Sequence, residues 1–424
     1  MVSFQSAPLS VLRVGAVLSS PIYDPSDSRT KLLGAGVAIT EALITRLRQR
    51  GVGTVVLNVS DLARLSAFKP QGTATECPLD HEYVASLLET DASRDLDGDA
   101  QEGQSLAAPP EKAFLEQVDE PLCESYDPDA MHEMAEQNEQ RVSYLDELFR
   151  DLVQSKSSID SEPLDGICRD SLATAVADID QFVCLGANPF SSDYPHRHSL
   201  HVACLAIAIG AKLRLGEQSL LELARGCLIH DIGMLRIPNE PYKLKRKLGG
   251  RELEQLVDHP LFALELAQDS ALPYCSRVVA YQIHERCNGS GYPRGRRGDQ
   301  IHQLSKIASL ADAFVALAAK RPHREGLQPY QIMAKLLQDV RHGLYDPDAM
   351  RGLLRAVSMY PIGSYTEISD GRVGRVIRSN GDSYTRPILE LWNVGKLTHR
   401  PSVVNLLDDP ELTIVRPLAT IGAA

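Results

Sequence analysis

Apolar positions recur with a helical period through most of residues 130–350 and with a period near two at both ends of the chain. In MAEQNEQRVSYLDELFRDLVQSK, Val142, Leu145, Leu148 and Leu152 fall on one helix face. Further on, the same spacing predicts helices over His198 to Leu213, Ser219 to His230, Pro260 to Gln268, Pro273 to Glu285 and Ser305 to Ala319. Near the start, strand-like runs over Val11 to Leu18 and Val52 to Asn58 flank an amphipathic helix, Thr40 to Arg50, capped by Thr40 and closed by Gly51. Beyond Met359, short strands are separated by the turn signals Asp370-Gly371 and Asn380-Gly381-Asp382. The pattern therefore predicts a mainly α domain over 190–355, a small α/β module over 1–70, a helical connector over 129–189 and a small β-rich module over 356–424. The connector helices are expected to dock on the α domain or to form a dimer seam.

Charge marks a further boundary. Residues 76–150 hold 21 Asp or Glu against Arg94, Lys112, Arg141 and Arg150, a net of -17 in a chain whose total is -12. The remainder is thus weakly basic and does not repel an anionic phosphodiester. Within that stretch ETDASRDLDGDAQEGQSLAAPPEK has neither period nor apolar content, so 71–128 reads as an acidic low-complexity linker. Eight cysteines without a CxxC pair indicate neither a zinc ribbon nor a disulfide framework. No apolar run approaches the roughly 18 to 20 residues that span a bilayer, and the first residues lack a secretory pattern. The expected location is the cytoplasm, and nothing indicates a nucleic-acid polymer as partner.

The candidate chemistry lies in His198, His230-Asp231, His259, His284 and Asp312, metal-ligand types set in apolar helical stretches. Their intervals of 32, 28, 25 and 28 residues correspond to one helix and one connection each, so successive helices can bring them to one point. A lone histidine on an apolar helix is ordinarily a hydrogen-bonded core residue. The set resists that reading, because a buried carboxylate in LIHDIG would cost several kcal/mol without a compensating charge. For Asp312 the competing reading is an ion pair with Lys306 or Arg321. After His284 comes Asn288-Gly289-Ser290-Gly291-Tyr292-Pro293, a turn whose glycines let the backbone bend close to such a site.

Over 196–350 these segments resemble the HD-GYP family, HD-type helical bundles that use metal ions to hydrolyse cyclic di-GMP. HSLHVA carries His198, LIHDIG carries His230 and Asp231, DHPLFA carries His259, IHERCNGSGYP carries His284 and the name-giving turn, and SLADAF carries Asp312. The resemblance implies that these six residues hold one or two divalent transition-metal ions, with Asp231 bridging and catalytic. Iron or manganese suits the donor set best, and zinc or nickel also fills it. KRPHREGLQPYQI resembles the segment in which two basic side chains hold substrate phosphates, implying Arg321 and Arg324, while Tyr292 helps seat the substrate. Ile283 stands where the family commonly has histidine, Met234 where it has lysine, Val315 where it has aspartate, and Tyr194 where some members have a third-metal glutamate. The implied activity is cleavage of cyclic di-GMP to pGpG or GMP in second-messenger signalling. Two alternatives are a degenerate, non-catalytic module that binds nucleotide or a signalling protein, and a phosphohydrolase acting on another nucleotide. His196 and His201 are expected beside the first ligand or at the surface, and Arg294, Arg296 and Arg297 in a solvated loop.

Overall fold

The computed structural model describes residues 4–12, 20, 22–24, 27–33, 39, 44, 47, 52–59, 61–62, 113–118, 128–155, 161–187, 194–238, 240–244, 246, 250–267, 270–320, 325–393 and 401–418. Its contacts divide the chain into two compact units, Met1–Asp80 and His81–Ala424.

The first unit holds an antiparallel four-stranded sheet in the order β1-β4-β2-β3, with β1 at Phe4–Pro8, β2 at Ile22–Asp24, β3 at Asp27–Leu33 and β4 at Thr54–Asn58. Alternation along β4 sends Val55 and Leu57 inward, where they join Ile22, Ile39, Ile44 and Leu47 in one core. Ile44 and Leu47 are helical, as expected of Thr40 to Arg50, and the rest of that helix lies outside the described residues. The strand expected from Val11 is corrected at its start. Leu9–Val11 form a single 3-10 turn closed by the Leu12 N–H donating to the Leu9 carbonyl at 3.2 Å. Pro8, with no N–H to offer a ladder, ends β1 just before it.

The second unit is mainly helical. Its helices are α1 (Pro128–Ser155), α2 (Ser161–Ala177), α3 (Ile179–Ala187), α4 (His196–Lys212), α5 (Glu217–Ile229), α6 (Gly250–Val257), α7 (His259–Ala267), α8 (Tyr274–Gln282), α9 (Gln303–Ala318), α10 (Pro329–Arg341) and α11 (Pro347–Val357). The apolar stripe foreseen on α1 is present, with Val142, Leu145 and Leu152 buried. Residues Ser199 to Ala211 of α4 are buried all round, because α1, α3, α5, α9 and α11 pack about it. A helix apolar on every face can be stable in water only as such an axle. Small residues set the distances between neighbours: a Cβ on Gly226 of α5 would lie 2.5 Å from Val279 Cβ on α8. The acidic stretch 89–112 lies outside the described residues, whereas Phe114 is buried and its N–H donates to the Leu215 carbonyl.

After α11 the chain forms an antiparallel five-stranded sheet in the order β8-β7-β6-β5-β9, with β5 at Tyr365–Ile368, β6 at Val373–Arg378, β7 at Ile388–Trp392, β8 at Ser402–Asn405 and β9 at Ile414–Leu418. Gly371 (φ 85°) and Gly381 (φ 53°) occupy the two expected turns in left-handed conformations that favour glycine. The end of β6 is fastened to the start of α3: Arg378 makes paired contacts of 3.0 and 2.9 Å with Asp178, and Ser379 donates to Asp180 at 2.9 Å.

Two measurements check this packing. Gly226→Ala is expected to destabilise the protein by about 1 to 3 kcal/mol through overpacking. Gly166→Ala in α2, where a Cβ meets nothing within 4 Å, should instead stabilise by about 0.5 to 1 kcal/mol; denaturant unfolding distinguishes the signs. Burial raises the Asp180 carboxyl to about 6 despite Lys212, Ser379 and Arg378 beside it. Its folded pKa thus exceeds its ordinary value, so its contribution to stability is present at low pH and is lost as pH rises through about 6. Asp180→Asn should remove that part of the pH dependence and raise stability at neutral pH, as read from unfolding midpoints between acid and neutral buffers.

Candidate metal centre

The six residues come from five elements and meet in one buried pocket. His198 lies in the first turn of α4, His230 caps the C-terminus of α5, and Asp231 follows it at the start of a 3-10 turn, Ile232–Arg236. His259 begins α7, His284 lies just beyond α8, and Asp312 sits within α9. None is more than 8 % exposed. Two glycines permit the assembly by close approach. A Cβ on Gly233 would stand 2.0 Å from the His259 carbonyl oxygen, and one on Gly291 2.5 Å from the His284 carbonyl oxygen.

Asp231 is the centre of the geometry. Its Oδ1 faces Nε2 of His259 at 3.1 Å and Nε2 of His284 at 3.7 Å, while its Oδ2 faces Nε2 of His230 at 3.2 Å and Nε2 of His198 at 3.8 Å. His198, His230 and Asp231 form one group with metal-ligand spacing, and Asp231, His259 and His284 form a second that shares the carboxylate. Asp312 belongs to neither group. It spans them, with Oδ1 at 3.0 Å from His198 Nε2 and Oδ2 at 3.4 Å from His284 Nδ1. Lys306, one competing partner for Asp312, pairs with Asp346 instead at 3.1 Å.

The tautomers decide what these approaches mean. Nδ1 of His230 lies 2.7 Å from the Cys227 carbonyl and Nδ1 of His259 lies 2.6 Å from the Leu256 carbonyl. A carbonyl only accepts, so each Nδ1 carries a hydrogen and each ring, when neutral, turns an Nε2 lone pair toward Asp231. A lone pair beside a carboxylate oxygen is repulsive unless a positive charge lies between them. Accordingly, Nε2 of His230, His259 and His284 and Oδ1 of Asp231 are all buried with no hydrogen bond of acceptable geometry, despite their short separations. The same tension shows in the ionisation. Burial pushes both carboxyls up, yet the surrounding imidazoles hold Asp231 and Asp312 well below the usual carboxylate range. Burial opposes charge on His284, but Asp231 and Asp312 outweigh it and lift its pKa to about 9. For His259 burial dominates and lowers the pKa, the direction a neutral ligand requires. These donors fit one or two divalent cations.

Tyr292 closes one side, its ring stacked on His284 at 4.9 Å and 18°. Arg321 and Arg324, expected to hold phosphate, lie outside the described residues. Ile283 and Met234 are both buried. His196 contacts Asp146 at 3.4 Å, and His201 is buried in α4, where burial lowers its pKa to about 4. Sequence reasoning passed over Glu285. Its buried carboxylate accepts the backbone N–H groups of Arg294 at 2.8 Å and Arg296 at 2.9 Å, pinning the turn that carries Tyr292. The signal available was an acid next to a glycine-rich turn with many unsatisfied amides. The loop expected to be solvated is thereby anchored, and Arg294 Nε further donates to the Tyr281 hydroxyl at 2.9 Å.

Residues 187–349 match the HD domain family. A cyclic di-GMP phosphodiesterase of Pseudomonas aeruginosa is 28 % identical over 208 residues, 48 % of this chain and 49 % of the relative. A cyclic di-GMP phosphodiesterase response regulator of Xanthomonas campestris is 32 % identical over 157 residues, 37 % of this chain and 40 % of the relative. A 3'3'-cGAMP-specific phosphodiesterase of Vibrio cholerae is 29 % identical over 177 residues, 42 % of this chain and 38 % of the relative. The chain thus spans half or less of the length of these curated relatives. Among solved structures, an HD-GYP-type protein from Bdellovibrio bacteriovorus matches over 83 % of this chain and 98 % of its own, at 17 % identity and a TM-score of 0.43.

Glu285→Gln exchanges one carboxylate oxygen for a donor and so strands one of the two turn amides. It is expected to cost about 1 to 3 kcal/mol of stability and to speed hydrogen exchange at the Arg294 and Arg296 amides. Unaltered exchange at both would rule out the pinning role.

Proposed function

This chain carries an HD domain of the HD-GYP family, and from that premise we propose that it is a metal-dependent phosphodiesterase that hydrolyses a cyclic dinucleotide. Cyclic di-GMP is the first candidate substrate, with linear pGpG or GMP as product, because similar proteins are named for cyclic di-GMP or 3'3'-cGAMP. The observation that carries the reading is the pair of Asp231 oxygens, each facing its own pair of imidazole Nε2 atoms, with Oδ1 and the Nε2 atoms of His230, His259 and His284 buried and without a hydrogen bond.

Divalent ions held by this pocket supply Lewis acidity, bringing the pKa of water toward neutrality and offsetting charge on the phosphoryl oxygens. The chain's own residues set the rest. Asp231 offers one oxygen to each group and so fixes their separation, while Asp312 meets Nε2 of His198 at 3.0 Å and Nδ1 of His284 at 3.4 Å and holds both rings. The carbonyls of Cys227 and Leu256 hold the His230 and His259 rings in the tautomer that donates from Nε2. Tyr292 is proposed to seat the substrate, and Arg321 and Arg324 to hold its phosphates. Imidazole and carboxylate donors without thiolate favour iron or manganese, and zinc or nickel suits the same atoms.

A second reading has its own support. Ile283 is fully buried where the family commonly has histidine, and Met234 replaces a cation with an apolar side chain. Both favour a domain that binds a cyclic dinucleotide and reports it to a partner without cleaving it. Turnover by the metal-loaded protein separates the readings.

Protein purified without oxygen and supplied with iron or manganese is expected to retain metal by elemental analysis. Asp231→Ala should lose at least one ion per chain, and hydrolysis of cyclic di-GMP should fall by more than about 100-fold. A wild-type protein that stays metal-free under these conditions would sink the reading.

A further inference from the structure

We propose that Tyr194 and Tyr242 form a stacking wall at the edge of the metal centre that takes one nucleobase of the substrate; this rests on the cyclic dinucleotide reading above. The rings around the centre are in contact from one end to the other. Tyr242 lies 5.2 Å from Tyr194, Tyr194 lies 5.5 Å from His198, His198 and His230 lie 5.6 Å apart, His230 and His284 lie 5.6 Å apart, and Tyr292 stacks on His284. The run therefore begins and ends in tyrosine, with the ligand imidazoles between. A substrate with a phosphodiester over the ligands has flat aromatic surface available on either side. A cyclic dinucleotide has a flat base on either side of its phosphodiester ring.

Tyr242 is built into position rather than left as a surface ring. It sits in a 3-10 turn, Pro241–Lys243, whose preceding residue Glu240 adopts the left-handed region at φ 43°. The Tyr242 hydroxyl donates to Glu240 Oε1 at 3.1 Å, and Lys243 Nζ contacts the same oxygen at 2.6 Å. The turn thus orients the ring through its hydroxyl edge. Both tyrosines are half-buried, so each keeps part of its surface toward solvent. The Lys243 ammonium, paired with Glu240, lies 5.8 Å from the Tyr242 centroid and further fixes the ring. Flat aromatic surface suits a nucleotide, whose base stacks on any π-face. An isolated phosphate or an aliphatic diester would gain nothing from the two rings.

Binding to metal-loaded, full-length protein tests the assignment. Tyr242→Ala should weaken cyclic di-GMP binding roughly 5- to 150-fold in calorimetric titration, the range for losing one base–aromatic stack, with metal content by elemental analysis unchanged. Tyr242→Phe keeps the ring and should bind more tightly than Tyr242→Ala. The chain has one tryptophan, Trp392 in the C-terminal sheet, so Tyr242→Trp in a Trp392→Phe background installs a single reporter. Its fluorescence should be quenched by cyclic di-GMP and not by inorganic phosphate. Wild-type binding with Tyr242→Ala affinity within twofold, or an unquenched reporter, overturns the wall and leaves the proposed function standing. A metal-loaded wild type that binds no cyclic dinucleotide overturns the proposed function and the wall with it.

Discussion

One buried carboxylate governs this molecule. Asp231 is nearly inaccessible and surrounded by imidazole nitrogens rather than by hydrogen-bond donors of fixed sign. Such a group is tolerable only if positive charge comes to it, and the cluster has two ways to provide that charge. In the chain alone, protons on His230 and His284 do so, which is why their pKa values rise against the pull of burial. With a divalent cation, the lone pairs do the work and those protons leave. Metal affinity is therefore a competition with protons already held in the pocket, and the core around it is shaped to keep the competitors close.

The surrounding fold serves that demand. α4 is buried on all sides and fixes where His198 emerges, α5 ends as His230 and Asp231 begin, and the glycine at 233 lets α7 start almost in contact with the same turn. Glu285 then ties down the turn that carries Tyr292. Each device brings a backbone close enough to the centre that a side chain of short reach suffices.

Much of this was legible before any coordinates. Histidine and aspartate in apolar helical stretches are conspicuous, and the helix spacing marked α4, α5, α7, α8 and α9 to within a few residues. The turns at Gly371 and Gly381 announced themselves because a left-handed backbone selects glycine. Other features depend on crossing geometry, which period alone does not encode. That Asp312 reaches both His198 and His284 follows from how α9 crosses α4 and α8. The strand expected from Val11 starts instead as a 3-10 turn, Leu9–Val11, just after Pro8 ends β1, and residues 13–18 lie outside the described residues. The hairpin of β2 and β3 went unseen because IYDPSDSRTKLL is too polar to alternate. Tyr242 carried no signal, since its contact with Tyr194 crosses a stretch without sequence pattern.

The pocket draws its six side chains from α4, the end of α5, the start of α7, the residues beyond α8, and α9. α4 and the end of α5 already bring together His198, His230 and Asp231, whereas the group of Asp231, His259 and His284 also needs α7 and the residues beyond α8 in place. The whole centre therefore exists only once the helical core is complete. A fully loaded pocket certifies that five separated stretches of chain have found one another.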